Sequence, residues 1–361
     1  MTPKATIRAE AERLFAAFQA AGAIPVDADI LLPAETLLDL YGEDLRARAY
    51  VTHDPLHGEM MLRPDFTVPV VQAHMAHGAD PARYTYLGEV FRRQEHLDGR
   101  PREYLQVGYE IFDRTAPEAA DAEVFALIAD LLAGLPVTPV TGDMGLLMAA
   151  VAALDTTDRR KAALMRHIWR PNRFRALVDR FAGRVDPSPS RLALLQQAKG
   201  GIAAMIPETV TGLRSAQEIE ARVAALVADA DAPPIPAQQV AILDRLLALN
   251  GPLPQAVQVL DDMAKNMPAL AAVAQRFRAR MAALAKRGVA VETLGFEAAH
   301  GRNTLEYYDG FVFEFHTADQ RPVASGGRYD ALTARLGQGR SIPAVGGVIR
   351  PALVAELRGA V

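Results

Sequence analysis

The chain contains no cysteine among its 361 residues. Disulfide bonds, cysteine-bound zinc and thiol nucleophiles are therefore excluded. The longest nearly uncharged stretch, Met144 to Leu154, lies between Asp143 and Asp155 and is too short to cross a bilayer. The first residues, MTPKATIRAEAERLF, lack the basic and then apolar pattern of a signal peptide. We expect a cytoplasmic protein without a membrane partner.

The sequence also lacks an excess of positive charge. It has 39 basic and 43 acidic residues, which give a formal net charge of −4. This balance offers no long-range attraction to the phosphates of tRNA, and it disfavours nucleic-acid binding. Hydrophobic residues make up 50% of the chain and charged residues 23%, as is typical of an ordered globular protein.

The hydrophobic pattern predicts an α+β protein. Apolar residues at helical spacing predict a first helix from residue 4 to about Gly22. β-type runs predict a hairpin between residues 49 and 62 and an antiparallel pair of strands between residues 84 and 112. Residues 117–288 have mainly helical spacing, and β-type runs return after Val289. Strands on both sides of a helical region indicate one sheet assembled from distant parts of the chain.

The same pattern predicts two structural units. A chain of 361 residues exceeds what a single hydrophobic core usually organises. We expect a principal domain formed by residues 1–155 and 289–361, and a helical insertion formed by residues 156–288.

The general catalytic motifs are missing. No P-loop, nucleophile elbow or H-E-x-x-H motif occurs in the sequence. His74 and His77 lie three positions apart on a predicted helix, but such a pair without a third ligand nearby is more often structural. We predict no metal site and no cofactor.

The informative polar residues lie on predicted strands. Gln106 and Glu110 are four positions apart, which places both on one face of a strand. Asp65 follows an Arg-Pro turn, and Tyr307 and Tyr308 begin another β-type run. A buried carboxylate needs a cation or a ligand as its partner. Periodicity alone favours the alternative that Gln106 and Glu110 lie on a solvated outer face.

Six phrases resemble the catalytic domain of histidyl-tRNA synthetases, in the same order and at similar separations. They cover roughly residues 5–155 and 290–350. A further phrase, ILLPAETLLDLY, resembles the first class II motif, which forms the dimer interface in that family. The six phrases are LRPDFT, YLGEVFRRQEHLDGRPREYLQVGYEIF, DAEVF, EYYDGFVFE, GGRYDAL and PAVGG.

The resemblance implies a class II synthetase-like antiparallel sheet flanked by helices, and a site for histidine. By that resemblance Asp65 and Gln106 hold the α-ammonium group, while Glu110 and a hydroxyl of Tyr307 or Tyr308 hold the imidazole. The chemistry fits, because a carboxylate accepts from a ring N–H and a phenol donates or accepts.

Several positions depart from the synthetase pattern. Asn303 stands where the family has a catalytic arginine, and Arg302 would replace it only after a shift that points it to the other face of a strand. In the third motif Leu353 stands at the position of an ATP-binding arginine; Arg350 is displaced and is followed by Pro351. Losing such a cation typically slows adenylate formation by orders of magnitude.

The second motif is only partly changed. Arg92 is retained, and Gln94 stands where the family has glutamate, although the register Arg93-Gln94-Glu95 would restore that residue. Arg100 and Arg102 remain in the loop, so that Arg92, Arg100 and Arg102 are candidate contacts for a nucleotide or another anion.

A sequence that keeps the residues for amino-acid binding but changes those for ATP chemistry resembles the regulatory subunits of ATP phosphoribosyltransferase. Because the sequence runs only to Val361 after the third motif, we expect no anticodon-binding domain. The resemblance implies a subunit without catalytic residues that activates a short-form catalytic subunit and transmits histidine inhibition. It further implies a homodimer within a hetero-octamer and no tRNA partner. Two alternatives are a truncated histidyl-tRNA synthetase that activates histidine with ATP, and a synthetase-like adaptor outside this pathway.

Overall fold

A computed structural model of the protein describes residues 2–41, 48–94, 101–202, 205, 214–301 and 307–359. The described strands are β1 (Ile24–Pro25), β2 (Leu31–Pro33), β3 (Val51–Asp54), β4 (Gly58–Leu62), β5 (Ala82–Phe91), β6 (Glu103–Phe112), β7 (Thr138–Asp143), β8 (Asn250–Pro252), β9 (Gly295–Glu297), β10 (Phe311–His316), β11 (Pro322–Arg328) and β12 (Ala344–Ile349).

The described helices lie mostly in the first half of the principal domain and in the insertion. They are α1 (Lys4–Ala20), α2 (Ala34–Tyr41), α3 (Thr67–His77), α4 (Pro117–Leu131), α5 (Met144–Ala152), α6 (Asp158–Arg166), α7 (Pro171–Phe181), α8 (Pro189–Ala198), α9 (Ala216–Asp231), α10 (Ala237–Leu247), α11 (Leu253–Asn266), α12 (Leu270–Lys286), α13 (Asp330–Leu336) and α14 (Pro351–Gly359). Across the described ranges, none of these helices has the length and apolar character needed to span a membrane.

A large sheet forms the centre of the protein. Its described strands have the order β1-β5-β6-β12-β11-β10-β7-β9-β8. From β5 to β7 the neighbours are antiparallel, whereas β1 joins β5 and β9 joins β7 in parallel. A smaller sheet, with the order β2-β4-β3, contains the predicted hairpin. The predicted α+β class is confirmed.

The first helix shows how the sequence sets the packing. Ala11, Leu14 and Phe18 recur at helical spacing and are fully buried. Gly22 follows the helix with φ at +91°, in the left-handed region that glycine adopts without strain. The predicted stop near Gly22 is confirmed.

The prediction of a mainly helical region at residues 117–288 missed two strands, β7 and β8. β7 lies within residues 117–288 because β10 pairs with it along all six of its residues. β8 also lies there and extends the sheet at its edge. The first β-type run after Val289 (residues 289–296) is wrong over most of its length, since only its last two residues belong to a strand, β9. The later runs are confirmed, because they contain β10 and β12. The GGR of the GGRYD phrase is the end of β11.

The two faces of the large sheet differ. α1 packs on β5 and β6, α4 packs on β12, and α12 packs on α4. Tyr109 of β6 stacks on Phe18 of α1, with ring centroids 5.2 Å apart. Because side chains alternate along a strand, Gln106, Gly108 and Glu110 lie on the opposite face. The insertion shares a continuous core with the principal domain, and its division at residues 156 and 288 stays a prediction.

Candidate functional site

Glu110 lies on β6, on the face of the large sheet opposite α1 and α4. It pairs with Tyr84 of β5 on one side and with Gly346 of β12 on the other. Two residues earlier, Gly108 pairs with Tyr86. The alternation of β6 therefore directs the carboxylate of Glu110 towards the same face as Tyr86. The alternative of a solvated outer face is wrong, because only 2% of Glu110 is exposed.

Two tyrosine hydroxyls hold the carboxylate of Glu110. Tyr86 donates to Oε1 at 3.0 Å, and Tyr329 donates to Oε2 at 2.6 Å. Burial raises the pKa of Glu110 to about 7, although the hydrogen bonds from Tyr329 and Tyr86 favour the ionised form and lower it. Each phenol stays protonated, because burial also raises its pKa. The carboxylate keeps further lone pairs for a donor from a ligand.

Glycines make the space around this carboxylate. A Cβ at Gly346 would overlap Oε2 of Glu110, and one at Gly108 would overlap the ring of Tyr86. A Cβ at Gly327 of β11 would lie 2.8 Å from Tyr308. Side chains at these positions would fill the floor of the site, so the glycines allow the polar groups to approach one another.

Asp65 and the paired tyrosines lie on the same side of the sheet. Asp65 is buried and accepts a hydrogen bond from the backbone N–H of Thr67 at 3.2 Å. The hydroxyl of Thr67 lies 3.3 Å from that of Tyr307, and the rings of Tyr307 and Tyr308 lie 4.7 Å apart. Burial raises the pKa values of both Glu110 and Tyr308, and the charge of Asp65 raises both further, which places these groups within one electrostatic environment.

Gln106 completes the set of predicted residues. It is 2% exposed, and its Oε1 has no hydrogen-bond partner among the described residues. Buried amide oxygens almost always accept a hydrogen bond, so an unmatched one facing a polar site is a place for a donor from a ligand. The fold therefore brings Asp65, Glu110 and the paired tyrosines together, and it places Gln106 on the same face of the sheet. That the five residues form one binding site stays a prediction.

The sequence reasoning missed three further members of the site, Thr67, Tyr86 and Tyr329. Tyr86 was detectable in principle, because the antiparallel pairing of β5 with β6 places the two tyrosines of the YTY phrase on the same face as Glu110. Phe66 stacks on the ring of Tyr86 at 4.3 Å and fixes its orientation. Tyr329 follows β11 and was hidden because nothing local links it to Glu110.

The candidate contacts for an anion are partly described. Arg92 donates from Nε to the carbonyl of Pro64 at 3.1 Å. Burial raises the pKa of Tyr308, and the charge of Arg92 partly opposes that rise, which places Arg92 beside the site. Arg102 is exposed. Gln94 donates to the carbonyl of Arg92 at 3.3 Å. Arg100, and with it Glu95, Arg302 and Asn303, lies outside the described residues.

Arg350, the displaced arginine of the third motif, lies over an aromatic ring of β6. The guanidinium of Arg350 lies 5.6 Å from the ring centroid of Tyr104 on β6. This distance suits a cation–π contact. Leu353, at the position of the synthetase arginine, is part of the packing against the main core.

The site as a whole favours a cationic donor. Asp65 and Glu110 supply carboxylates, and the tyrosine and threonine hydroxyls surround them. Arg63 lies close by, but its Nε donates to the carbonyl of Glu89 at 2.8 Å and its guanidinium lies 4.1 Å above Phe66. A small molecule with several N–H donors would match these groups.

Comparison with known proteins gives a consistent result. The family model described as histidyl-tRNA synthetase matches residues 3–232 and 212–352. The chain is 38% identical over 343 residues to an ATP phosphoribosyltransferase regulatory subunit from Agrobacterium fabrum, with 89% of each chain covered. It is 34% identical over 348 residues to the protein of the same description from Allorhizobium ampelinum, with 91% of this chain and 92% of the other covered.

Solved structures share the fold. A Bacillus halodurans structure described as an ATP phosphoribosyltransferase regulatory subunit/histidyl-tRNA synthetase has a TM-score of 0.68 at 21% identity, over 99% of this chain and 80% of the other. A histidine–tRNA ligase subunit from Alicyclobacillus acidocaldarius has a TM-score of 0.61 at 23% identity, over 100% of this chain and 95% of the other. These likenesses confirm the predicted class II synthetase-like fold.

Proposed function

The chain belongs to the family of ATP phosphoribosyltransferase regulatory subunits, and we propose that it binds histidine in the Glu110 site and thereby regulates a catalytic partner. The partner is the short-form catalytic subunit, which this chain activates and, when histidine is bound, inhibits. The reaction is the first step of histidine biosynthesis. A coupling free energy of about 1 to 3 kcal/mol between the two sites would give useful feedback.

The observation that carries this proposal is the environment of Glu110. Its carboxylate is buried between two phenol donors and faces the same space as Asp65 and Gln106. Glu110 would accept the ring N–H of histidine, with a hydroxyl of Tyr307 or Tyr308 as a second partner for the ring. Asp65 and the unmatched Oε1 of Gln106 would accept from the α-ammonium group. An amino acid without ring nitrogens could not donate to the lone pairs of Glu110 that Tyr86 and Tyr329 leave open, which disfavours its binding.

We infer that the chemistry takes place in the partner. Asn303 and Leu353 stand where the synthetases have arginines, so the α-phosphate of a bound ATP would lack two cations. The position of Arg350 over Tyr104 supports the same inference, since this guanidinium is engaged with the protein's own ring. Arg92, Arg100 and Arg102 stay candidate contacts for an anion.

We propose a homodimer of this chain within a hetero-octamer in the cytoplasm, without tRNA as a partner. The name of the relatives implies a catalytic subunit and supports this partnership.

The test is a reconstitution. The purified chain is mixed with a short-form catalytic subunit, and formation of phosphoribosyl-ATP is followed with and without histidine. We expect activity only in the mixture, and inhibition by histidine. Activity that is the same without this chain would contradict the proposal. Histidine-dependent exchange of pyrophosphate into ATP by the chain alone would also contradict the proposal, and would favour the synthetase alternative.

A further inference from the structure

A network of buried ion pairs lies on the opposite face of the large sheet from Glu110. Its centre is Asp121 of α4, which is fully buried. Arg328, 1% exposed at the end of β11, donates to Oδ1 of Asp121 from Nη2 at 2.6 Å and from Nε at 3.1 Å. Arg280 of α12 donates to Oδ2 of the same carboxylate at 3.2 Å. One carboxylate thus joins the end of β11 to a helix of the insertion.

Arg280 has a second carboxylate partner. Its Nη2 donates to Oδ2 of Asp143, which is also buried. Oδ1 of Asp143 accepts from the backbone N–H of Gly145 at 2.8 Å and so caps the N-terminus of α5. Arg280 therefore joins α12, α4 and the start of α5.

The other end of the network reaches the tyrosines of the candidate site. Arg328 directly precedes Tyr329, and its Nη1 donates to Oδ1 of Asp330 at 3.0 Å. The carboxylate of Asp309, directly after Tyr308, accepts from the backbone N–H of Asp330 at 3.1 Å. The N–H of Asp309 donates to the carbonyl of Arg328 at 3.0 Å. The loops that carry Tyr308 and Tyr329 are therefore clamped together and to Arg328.

A backbone contact closes the connection. Gly310, two residues after Tyr308, accepts from the N–H of Met144 at 2.8 Å, at the start of α5. A Cβ at Gly310 would lie 2.9 Å from Cδ of Arg328, so the loop and the arginine are in close packing contact. A change in the position of Tyr308 or Tyr329 has little room to occur without moving Arg328 or the start of α5.

An exposed ion pair joins the same two helices. Arg276 of α12 donates to Glu118 of α4 at 3.1 Å, and its side chain is 51% exposed. Attachment of α12 to α4 therefore has a surface contact as well. What the buried pairs add is a link between α12 and the loops of the site, since buried charges that lose their partners are strongly disfavoured.

We infer that Arg280, Asp121 and Arg328 are positioning residues that transmit occupancy of the Glu110 site to the helical insertion. The inference rests on the proposed function, since histidine is taken as the molecule that occupies the site. Contact with the ligand would fix Tyr308 and Tyr329, and Arg328 would carry that change through Asp121 to Arg280. Helix α12 and the start of α5 are the elements that respond.

The test compares amide hydrogen exchange of the full chain with and without L-histidine. In the native protein we expect histidine to slow exchange in the segments 307–310 and 328–331, and also in α5 and α12, by about fivefold or more. The variant Arg280→Lys keeps a positive charge between Asp121 and Asp143, but a single ammonium group is a compact charge without the fork of a guanidinium. It should bind histidine nearly as well and lose the protection in α12. The matched control, Arg276→Lys on the same helix, should keep both.

The outcomes separate the two claims. Protection that is confined to the site, with α12 unchanged in the native protein, would overturn this inference whether or not Arg280→Lys folds. Protection of α12 that persists in a folded Arg280→Lys variant would overturn it as well. Histidine inhibition of the reconstituted enzyme would then leave the proposed function standing. A native chain that shows no binding of histidine would contradict the proposed function and this inference together.

Discussion

The hydroxyl of Tyr329 donates to Oε2 of Glu110 at 2.6 Å, although 219 positions separate the two residues in the chain. Strand β12 lies between their strands, and Gly346 of that strand leaves the space through which the two side chains meet. The contact is buried, so neither group has solvent as a substitute partner. The proposed recognition of histidine would depend on that small set of distant contacts.

Replacement of Glu110 should weaken histidine binding without unfolding the protein. Hydrogen bonds to charged groups contribute about 1.5 to 3 kcal/mol. Glu110→Ala should therefore raise the Kd for histidine by roughly tenfold to 100-fold, and it should relieve feedback inhibition. Calorimetric titration measures the first effect. Glu103→Ala, at the exposed start of the same strand, is the control and should bind like the native chain. An unchanged affinity in Glu110→Ala would remove Glu110 from the site.

The carboxyl of Glu110 should make stability depend on pH. Its pKa is about 7 in the folded chain and 4.5 as its ordinary value, so the folded state binds more protons between these limits. The contribution of Glu110 to stability is therefore full below about pH 4.5 and is lost as the pH rises towards 7. Glu110→Gln removes this dependence. The free energy of unfolding of Glu110→Gln minus that of the native chain should therefore be higher at pH 8 than at pH 5, by on the order of 3 kcal/mol.

Urea unfolding of both proteins at the two pH values measures this difference. Glu103→Gln serves as the control, because its side chain is exposed at the start of β6. Parallel pH profiles for the native chain and Glu110→Gln would contradict the proposed burial of an ionisable group.

A methyl group at Gly346 should block the site. The added Cβ would overlap the Glu110 carboxylate, and overpacking in a rigid interior costs about 1 to 3 kcal/mol. We expect Gly346→Ala to lose histidine binding together with some stability. Gly359→Ala, where nothing lies within 4 Å, should change neither. Titration and thermal unfolding of the two variants make the comparison, and a Gly346→Ala variant that binds normally would show that Glu110 is displaced freely.

The insertion contains its own buried ion pair. Arg160 donates from Nε to Asp229 at 2.6 Å, with side chains 7% and 9% exposed. Asp229 also accepts from Arg191 at 2.6 Å, so its removal would leave the buried guanidinium of Arg160 without a carboxylate, which costs about 3 to 5 kcal/mol. Asp229→Asn should therefore lower the free energy of unfolding of the protein by that amount. Lys265→Met breaks the exposed pair with Asp262 and should cost less than about 1 kcal/mol, as urea denaturation would measure. Equal losses of unfolding free energy in the two variants would contradict the assignment of a buried ion pair between Arg160 and Asp229.

Local patterns were sufficient for the strands that carry Gln106 and Glu110, because alternation along a strand fixes the face of each residue. The α1 helix and the β3–β4 hairpin were predictable for the same reason. Burial of Glu110 was not, since it depends on Gly346, Tyr329 and the order of strands brought together from both ends of the chain.

The charged residues behind the sheet were equally hidden. Arg280 and Asp121 are separated by 159 positions, and in sequence each is one more charge on a helix. β7 was missed because it is a six-residue strand inside a long stretch of helical spacing. Pairing with β10, which is remote in the sequence, makes it a strand.

The most direct test of histidine recognition is calorimetric titration of the purified chain with L-histidine and with L-phenylalanine. Phenylalanine has a ring of similar size but no ring nitrogen, so it would place an apolar ring edge against the buried Glu110 carboxylate and could not donate to its remaining lone pairs. We expect histidine to bind and phenylalanine to bind at least roughly 10⁴-fold more weakly. Equal affinities, or no binding of histidine, would contradict the account.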